Sequence, residues 1–226
     1  MLAAGALLLP ACTGSGAPAP TDTGTPDPDA SAVIRLVLEP GNLDIRQTAG
    51  SALDQILVDN VYQGLVSRTP DQDIVPALAS DWTVSDDGAT LHFDLRPDGR
   101  WSNGEPVTAA DFVYSLRRML DPATAAKYAE ILFPIRNAAA VNRGEKPADA
   151  LGVVAEAPLR LAIPLEQPTP YILELLTHQT ALPVHRASVE RYGDSFTRPG
   201  NLVTNGPYRL AERVPVFPSP RALAVA

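Results

Sequence analysis

The sequence predicts a mixed fold with helices and strands interspersed, α/β or α+β, and three stretches carry that prediction. DWTVSDDGATLHFDLRP, Asp81 to Pro97, alternates apolar and polar residues about an Asp-Gly turn, as a hairpin with one buried face does. SALDQILVDNVYQGLV from Ser51 and TAADFVYSLRRMLDP from Thr108 instead repeat apolar residues at helical spacing. With 226 residues, 45% hydrophobic and 19% charged, the chain is long enough for one large domain or two small ones. Its net charge of -8 argues against nucleic acid as a partner, because a phosphate backbone calls for a basic face.

In chain order, residues 1–12, MLAAGALLLPAC, form an apolar run too short to span a bilayer and of the length of a secretory signal. Leu9-Pro10-Ala11-Cys12 resembles the bacterial lipobox, whose cysteine is lipid-modified and becomes N-terminal after cleavage. Residues 13–31 are small and Pro-rich, cannot bury a core, and are expected to form a flexible tether. Signal, cysteine and tether come in the order an anchored protein needs, so Cys12 is the expected lipidation site; an incidental cysteine is the other reading. No basic segment precedes the apolar run, which a start codon assigned too far downstream would explain. As the only cysteine, Cys12 also excludes an intrachain disulfide and a four-thiolate zinc site.

VIRLVLE, from Val33, is β-branched and predicts a strand. In the next helix Leu53, Ile56, Leu57, Val61 and Leu65 fall on one face, and Ser51 with Asp54 can form a capping box. In the hairpin Leu91, Phe93 and Leu95 point one way, and Thr90, His92, Asp94 and Arg96 the other. RWSNGEPVTAADFVYSLRRMLDP, Arg100 to Pro122, then crowds an aromatic, acids and arginines together as a reactive site would. Its physical reading is scaffold. Asn103-Gly104 is a turn, and Thr108 with Asp111 forms a capping box. Phe112, Val113, Leu116, Met119 and Leu120 make the apolar face. Arg117 and Arg118 sit where the helix dipole favours cations, and Asp121-Pro122 ends the helix.

Helical segments are expected near 123–133 and 136–143, strands within LGVVAEAPLRLAIPL, and a helix in PTPYILELLTHQ with proline near its start. Trp82, Trp101 and Tyr208 are expected in the core. The three histidines, His92, His178 and His185, fit no HExxH spacing, and no G-x-S-x-G nucleophile elbow is present, so neither a metallohydrolase nor a serine hydrolase is expected. The final segment, VPVFPSPRALAVA, residues 214–226, has three prolines and no apolar face to continue a strand or helix.

Four stretches now combine: VYQGLVSRTPDQDIVPALASDWTVSDDGATLHFDLRPDGRWSNGEPVTAADFVYSLRRMLDPATAAKYA, RGEKPADALGV, PTPYILELLTHQTALPV and RPGNLVTNGPYRL. From about Leu43 to about Arg213 they resemble the extracellular solute-binding proteins of family 5, in particular the oligopeptide-binding branch that serves peptide ABC importers. The resemblance implies a type II periplasmic-binding-protein clamp, with an extra domain in the peptide-binding branch, that encloses ligand by hinge closure. It implies no enzyme activity, no catalytic residue, no metal and no cofactor. The implied partners are an oligopeptide ligand, the ABC permease subunits and, through the Cys12 anchor, the membrane; the implied state is a monomer in the cell envelope, outside the cytoplasmic membrane. Relatives binding dipeptides, chelated nickel, haem or sugars leave the ligand open, and a structural or adhesive envelope lipoprotein is the reading from another class.

The resemblance further implies that Ala49, Gly50 and Ser51 supply ligand-facing extended backbone, though Ser51 equally suits the helix cap. Tyr128, in DPATAAKYA, stands where the family has a ligand-contacting tyrosine, and His178, in LLTHQ, where it has a pocket histidine. A core tyrosine and a satisfied or surface histidine are the plain alternatives. The implied organisation is residues 33–60 and 186–213 as partial lobe I, 61–185 as the extra domain, and 214–226 as an aberrant Pro-rich tail of the kind a shifted reading frame produces. The expected consequence is a non-functional fragment, because the opposing lobe of the clamp has no counterpart in these residues.

Overall fold

The computed structural model describes residues 43–48 and 52–212, with side chains from 55 onward in the second span. Cys12, the tether, the strand expected from Val33, the segment Ala49, Gly50 and Ser51, and the tail 214–226 all lie outside the described residues. The elements are helix α1 (Ala52–Val61), strands β1 (Val66–Arg68), β2 (Ile74–Pro76), β3 (Ala79–Val84) and β4 (Thr90–Leu95), and helices α2 (Ala109–Leu120) and α3 (Ala138–Asn142). Strands β5 (Val154–Ala157) and β6 (Arg160–Pro164) and helices α4 (Ile172–Leu176) and α5 (Arg186–Tyr192) follow. The mixed fold is as expected.

A four-stranded antiparallel sheet of order β3-β4-β6-β5 forms its frame. The expected hairpin is β3–β4, turned at Gly88 with φ +69°, a conformation that glycine adopts without Cβ strain. Strict alternation buries Leu91, Phe93 and Leu95 and leaves Thr90, His92 and Asp94 part-exposed. Opposite Phe93 stand Trp82 on β3 and Leu161 on β6, so one face carries an apolar row across three strands. On the other face Arg160 links Asp94 at 2.9 Å to Glu156 at 3.2 Å, and His92 meets Glu156 at 3.2 Å.

Helix α2 buries Phe112, Leu116, Met119 and Leu120 and is capped as the sequence predicts: the Thr108 N–H and hydroxyl donate to Asp111 Oδ2 at 2.8 and 2.9 Å. Two charges of the Arg100–Pro122 stretch reach across to structural partners elsewhere in the chain. Glu105 meets His185 Nε2 at 2.7 Å, and the ring of His185 packs edge-on against buried Trp101. Arg118 crosses to Asp44, donating at 2.8 and 3.1 Å, while Arg46 grips the same carboxylate from the side at 2.6 Å.

Asp44 is 2% exposed, and its pKa reflects a contest. Burial pushes it up, but the hydrogen bonds and charges of Arg118 and Arg46 outweigh that and leave it below the usual carboxylate range. A depressed folded-state pKa gives stability that is complete above the ordinary value of 3.8 and is lost as pH falls through the folded value. Urea midpoints should therefore hold between neutral pH and about pH 5 and fall below about pH 4. A midpoint that holds down to pH 2, or drops already between pH 6 and 5, would show that the Asp44 cluster does not govern acid stability.

Several expected features are corrected. The inward face of α1 is Val58 and Val61, continued by Tyr62, whereas Ile56 is 45% exposed. Two residues turn a helix by about 200°, which sets Ile56 opposite Val58. Leu65 is buried, but beyond the helix end. Segments 123–133 and 136–143 are not continuous helices: left-handed residues at Ala125, Tyr128 and Asn137 break them into short 3-10 turns and the five-residue α3. Trp101 is core, Trp82 is half-buried against Phe93, and Tyr208 is 42% exposed because its backbone, not its ring, is what holds it, donating to Asn60 O at 3.0 Å.

That last contact belongs to a clasp between residues 205–208 and the end of α1. Asn205 accepts from Gln63 N–H at 3.2 Å and donates to Gln63 O at 2.8 Å, and Gly206 N–H donates to Val61 O at 3.0 Å. A Cβ on Gly206 would lie 2.5 Å from the Val61 carbonyl carbon and 2.7 Å from Tyr62 N. Gly206→Ala should cost about 1–3 kcal/mol, read as a lowered denaturant midpoint; an unchanged midpoint would show that the clasp contributes nothing. The described residues share one core, to which Leu43, Ile45, Phe196 and Leu202 from the flanks also contribute. Among them no helix is long and apolar enough to cross a membrane.

Candidate ligand-binding site

Tyr128 follows α2 by way of a 3-10 turn and the left-handed Ala125, and is itself left-handed with φ 60°. For a residue with a Cβ this costs about 1–2 kcal/mol, strain of the kind that gathers at ligand clamps. The turn leaves the phenol 43% exposed, too open for a core tyrosine. His178 lies two residues after the end of α4, in extended backbone (φ -72°, ψ 148°). Its Nδ1 accepts the Thr180 N–H at 3.3 Å and lies 3.0 Å from the Thr180 hydroxyl. That contact puts the proton of the neutral ring on Nε2, which has no hydrogen-bond partner among the described residues. Burial pushes the His178 pKa down, opposed by the Glu130 charge, so at neutral pH the ring offers one N–H and no charge.

The structure brings these separately predicted residues together: their rings meet edge-on at 6.0 Å. His178 also lines a cavity of about 340 Å³ with Gln55, Arg68, Ile131, Glu174 and Leu175. This lining mixes donors, acceptors, both signs of charge and apolar surface. The turn 43–48 is fastened to both residues' neighbours. Lys127 N–H donates to Arg46 O at 2.8 Å, and Gln179 Nε2 donates to Thr48 O at 3.0 Å. The next residues in sequence are Ala49, Gly50 and Ser51. Asp44, held by Arg118, anchors this turn from inside the protein.

Sequence reasoning missed Gln179, Lys127 and the Asp44–Arg118 pair. Gln179 and Thr48 are 131 residues apart, and nothing local in either segment signals the other. It also missed that His185 caps α5, its Nδ1 accepting Ser188 N–H at 3.3 Å. Glu105, His185 and Ser188 thus follow one another with the connectivity of a hydrolytic triad. Ser188, however, is 5% exposed at the start of a helix and His185 is 7% exposed, so no substrate carbonyl reaches the hydroxyl. Among the described residues no cluster of three or more His, Cys, Asp or Glu is placed to hold a metal ion.

Among the described residues, an open shelf of mixed polarity, a strained tyrosine and a histidine N–H without a hydrogen-bond partner lie side by side, an arrangement suited to holding a solute. The sequence pattern described as bacterial extracellular solute-binding proteins, family 5 Middle, matches residues 73–217, and the chain belongs to that family. That match runs a few residues past Arg213, where the resemblance was expected to end.

The chain is 40% identical over 178 residues to the periplasmic murein peptide-binding protein MppA of Escherichia coli, covering 78% of this chain and 33% of the relative. It is 36% identical over 178 residues to the probable deoxycholate-binding periplasmic protein YgiS of the same organism, covering 78% and 33%. The solved structure of Haemophilus influenzae OppA in complex with RPPGFSPFR superposes with a TM-score of 0.75 at 38% identity, over 78% of this chain and 34% of that one. The fold class is therefore that of the type II periplasmic-binding-protein clamp, and the chain spans about a third of the length of these relatives.

Proposed function

We propose that the chain supplies one wall of an oligopeptide site in the substrate-binding protein of an ABC importer, capturing peptides outside the cytoplasmic membrane for delivery to the permease. The observation that carries this reading is the meeting of Tyr128 and His178 beside the turn that leads into Ala49–Ser51. A peptide backbone presents carbonyls to the His178 Nε2–H, and varied side chains rest against an amphipathic phenol and a cavity of mixed polarity. Such a protein acts as a monomer, needs no cofactor and performs no chemistry. Lipidation at Cys12 and a tether over 13–31 would keep it at the membrane surface in the periplasmic space, where its relatives MppA and OppA are named as working. Residues 61–185 would be the extra domain of the peptide-binding branch, and the whole four-stranded sheet with α2 falls inside that span. The relative named for deoxycholate favours a second reading, capture of another solute by the same shelf.

The test is a titration of the chain with a mixed tri- to pentapeptide pool, read from the ring carbon–proton signals of His178. Because Tyr128 is open to solvent, affinity should be weak, about millimolar. Tyr128→Ala should weaken it about tenfold, the scale of one buried aromatic contact. Loss of response to peptide but not to deoxycholate would transfer the site to the second reading; no response to either would end both.

A further inference from the structure

The chain holds two Asn-Gly pairs, Asn103-Gly104 and Asn205-Gly206, which the sequence alone makes equivalent. In each, the glycine has no Cβ to shield its nitrogen from the asparagine side-chain amide. At the other described asparagines, Asn60, Asn137, Asn142 and Asn201, the following residue carries a side chain. The folded chain separates the two pairs. Asn103 and Gly104 are both exposed, in a short loop closed by the bridge between Arg100 and Pro106. Asn103 Oδ1 accepts the Glu105 N–H at 3.1 Å, a bond that draws the side chain forward past the Gly104 peptide and polarises its carbonyl. Gly104 N–H is held by one bond, to Trp101 O at 2.8 Å. Beyond its chain neighbours no atom lies within 4 Å of where a Gly104 Cβ would stand, so this turn can open without displacing anything. Asn205 is 7% exposed, and its side-chain amide is engaged at both ends, accepting from Gln63 N–H and donating to Gln63 O. Gly206 N–H is bonded to Val61 O, and its backbone lies so close to Val61 and Tyr62 that not even a Cβ fits. Bringing the Gly206 nitrogen to the Asn205 side chain therefore requires the release of three bonds and of the packed clasp.

We propose that Asn103 is a site of spontaneous deamidation in the folded protein, and that the clasp protects Asn205 from the same reaction. The Gly104 nitrogen gives its proton to hydroxide and attacks Asn103 Cγ. The bond from Cγ to the side-chain nitrogen breaks, that nitrogen takes a proton from water and leaves as ammonia, and a five-membered succinimide remains. Water then opens the ring. Opening at Cγ gives aspartate in an ordinary chain, and opening at the Asn103 backbone carbonyl gives isoaspartate, with the main chain routed through the side chain. The sum is one water consumed and one ammonia released, with nothing oxidised or reduced. This site is independent of the Tyr128–His178 face and stands or falls apart from it.

The experiment is incubation of the full chain at mildly alkaline pH, once folded and once in urea, with samples digested by trypsin at intervals. Each pair falls in its own fragment, Trp101–Arg117 and Tyr192–Arg209. Mass spectrometry follows the conversion of amide to acid, with sequencing inside the second fragment to separate Asn205 from Asn201, and isoaspartate methyltransferase labels the isoaspartate product. In the folded chain Asn103 should convert at least about tenfold faster than Asn205, because one exposed turn bond opens far more often than the clasp. In urea the two rates should agree within about threefold, since no structure then distinguishes the pairs. Conversion of Asn205 as fast as that of Asn103 in the folded chain, or none at Asn103 there, would overturn the proposal. So would slow conversion of Asn205 that persists in urea, since the protection would then lie in the local sequence and not in the clasp.

Discussion

Arg118→Ala is expected to be the most damaging single change, lowering stability by about 3–5 kcal/mol, because it strands a buried charge. Asp44 is 2% exposed, and Arg118 supplies two of the contacts that hold its carboxylate below the usual range. Arg46 remains in the variant, but it lies beside the same carboxylate and does not replace the link to α2. Arg118 also stacks over Phe196 at 5.2 Å, so its loss loosens a core aromatic. Chemical denaturation at pH 7 measures the effect. The turn 43–48 should loosen with it, so the Lys127 and Gln179 side-chain and backbone signals next to the candidate site should broaden in the variant. A loss under about 1 kcal/mol would mean that the pair behaves as a surface ion pair and anchors nothing.

Phe93→Ala should cost about as much, 3–5 kcal/mol, by a different route. Phe93 is fully buried at the centre of the sheet, opposite Trp82 on one side and Leu161 on the other. Truncation leaves a void between strands whose backbones are fixed by their ladders, so little can collapse into it. Trp82, half-buried and 6.4 Å from the Phe93 ring, would lose its support, and its fluorescence should shift to longer wavelength before global unfolding. A cost below about 1.5 kcal/mol, with unchanged emission, would place the core elsewhere than on this row.

What the sequence disclosed was local. The alternation of Thr90–Leu95 and the Thr108–Asp111 box are written in neighbouring residues, and both fold as read. What it hid falls into two kinds. One is pairing across distance: Arg118 finds Asp44 across 74 residues and His185 finds Glu105 across 80, and neither segment advertises its partner. The other is backbone set by tertiary context. Ala125 and Tyr128 are left-handed without being glycine, so a segment of helical composition becomes a pair of turns. Strands β1 and β2, of three residues each, are too short to show a period, and α5 starts on a histidine cap that the usual Ser, Thr, Asp or Asn signal does not include. Tyr128 and His178 came from family resemblance, and composition or spacing would not have singled them out. That the same turn places Tyr128 at an angle to His178 follows only from the folded chain.

The claim on which most depends is that the face carrying Tyr128 and His178 is the one a peptide touches. Photo-crosslinking tests it most directly: the chain is irradiated with a tripeptide bearing a diazirine side chain, and the labelled residues are located by mass spectrometry, with unlabelled peptide as competitor. The label should fall within Ala123–Leu132 and Leu173–Thr180, with Tyr128 and His178 among the modified residues, and should be competed away by millimolar tripeptide. Competable label confined to other segments, with none on these two, would contradict the account.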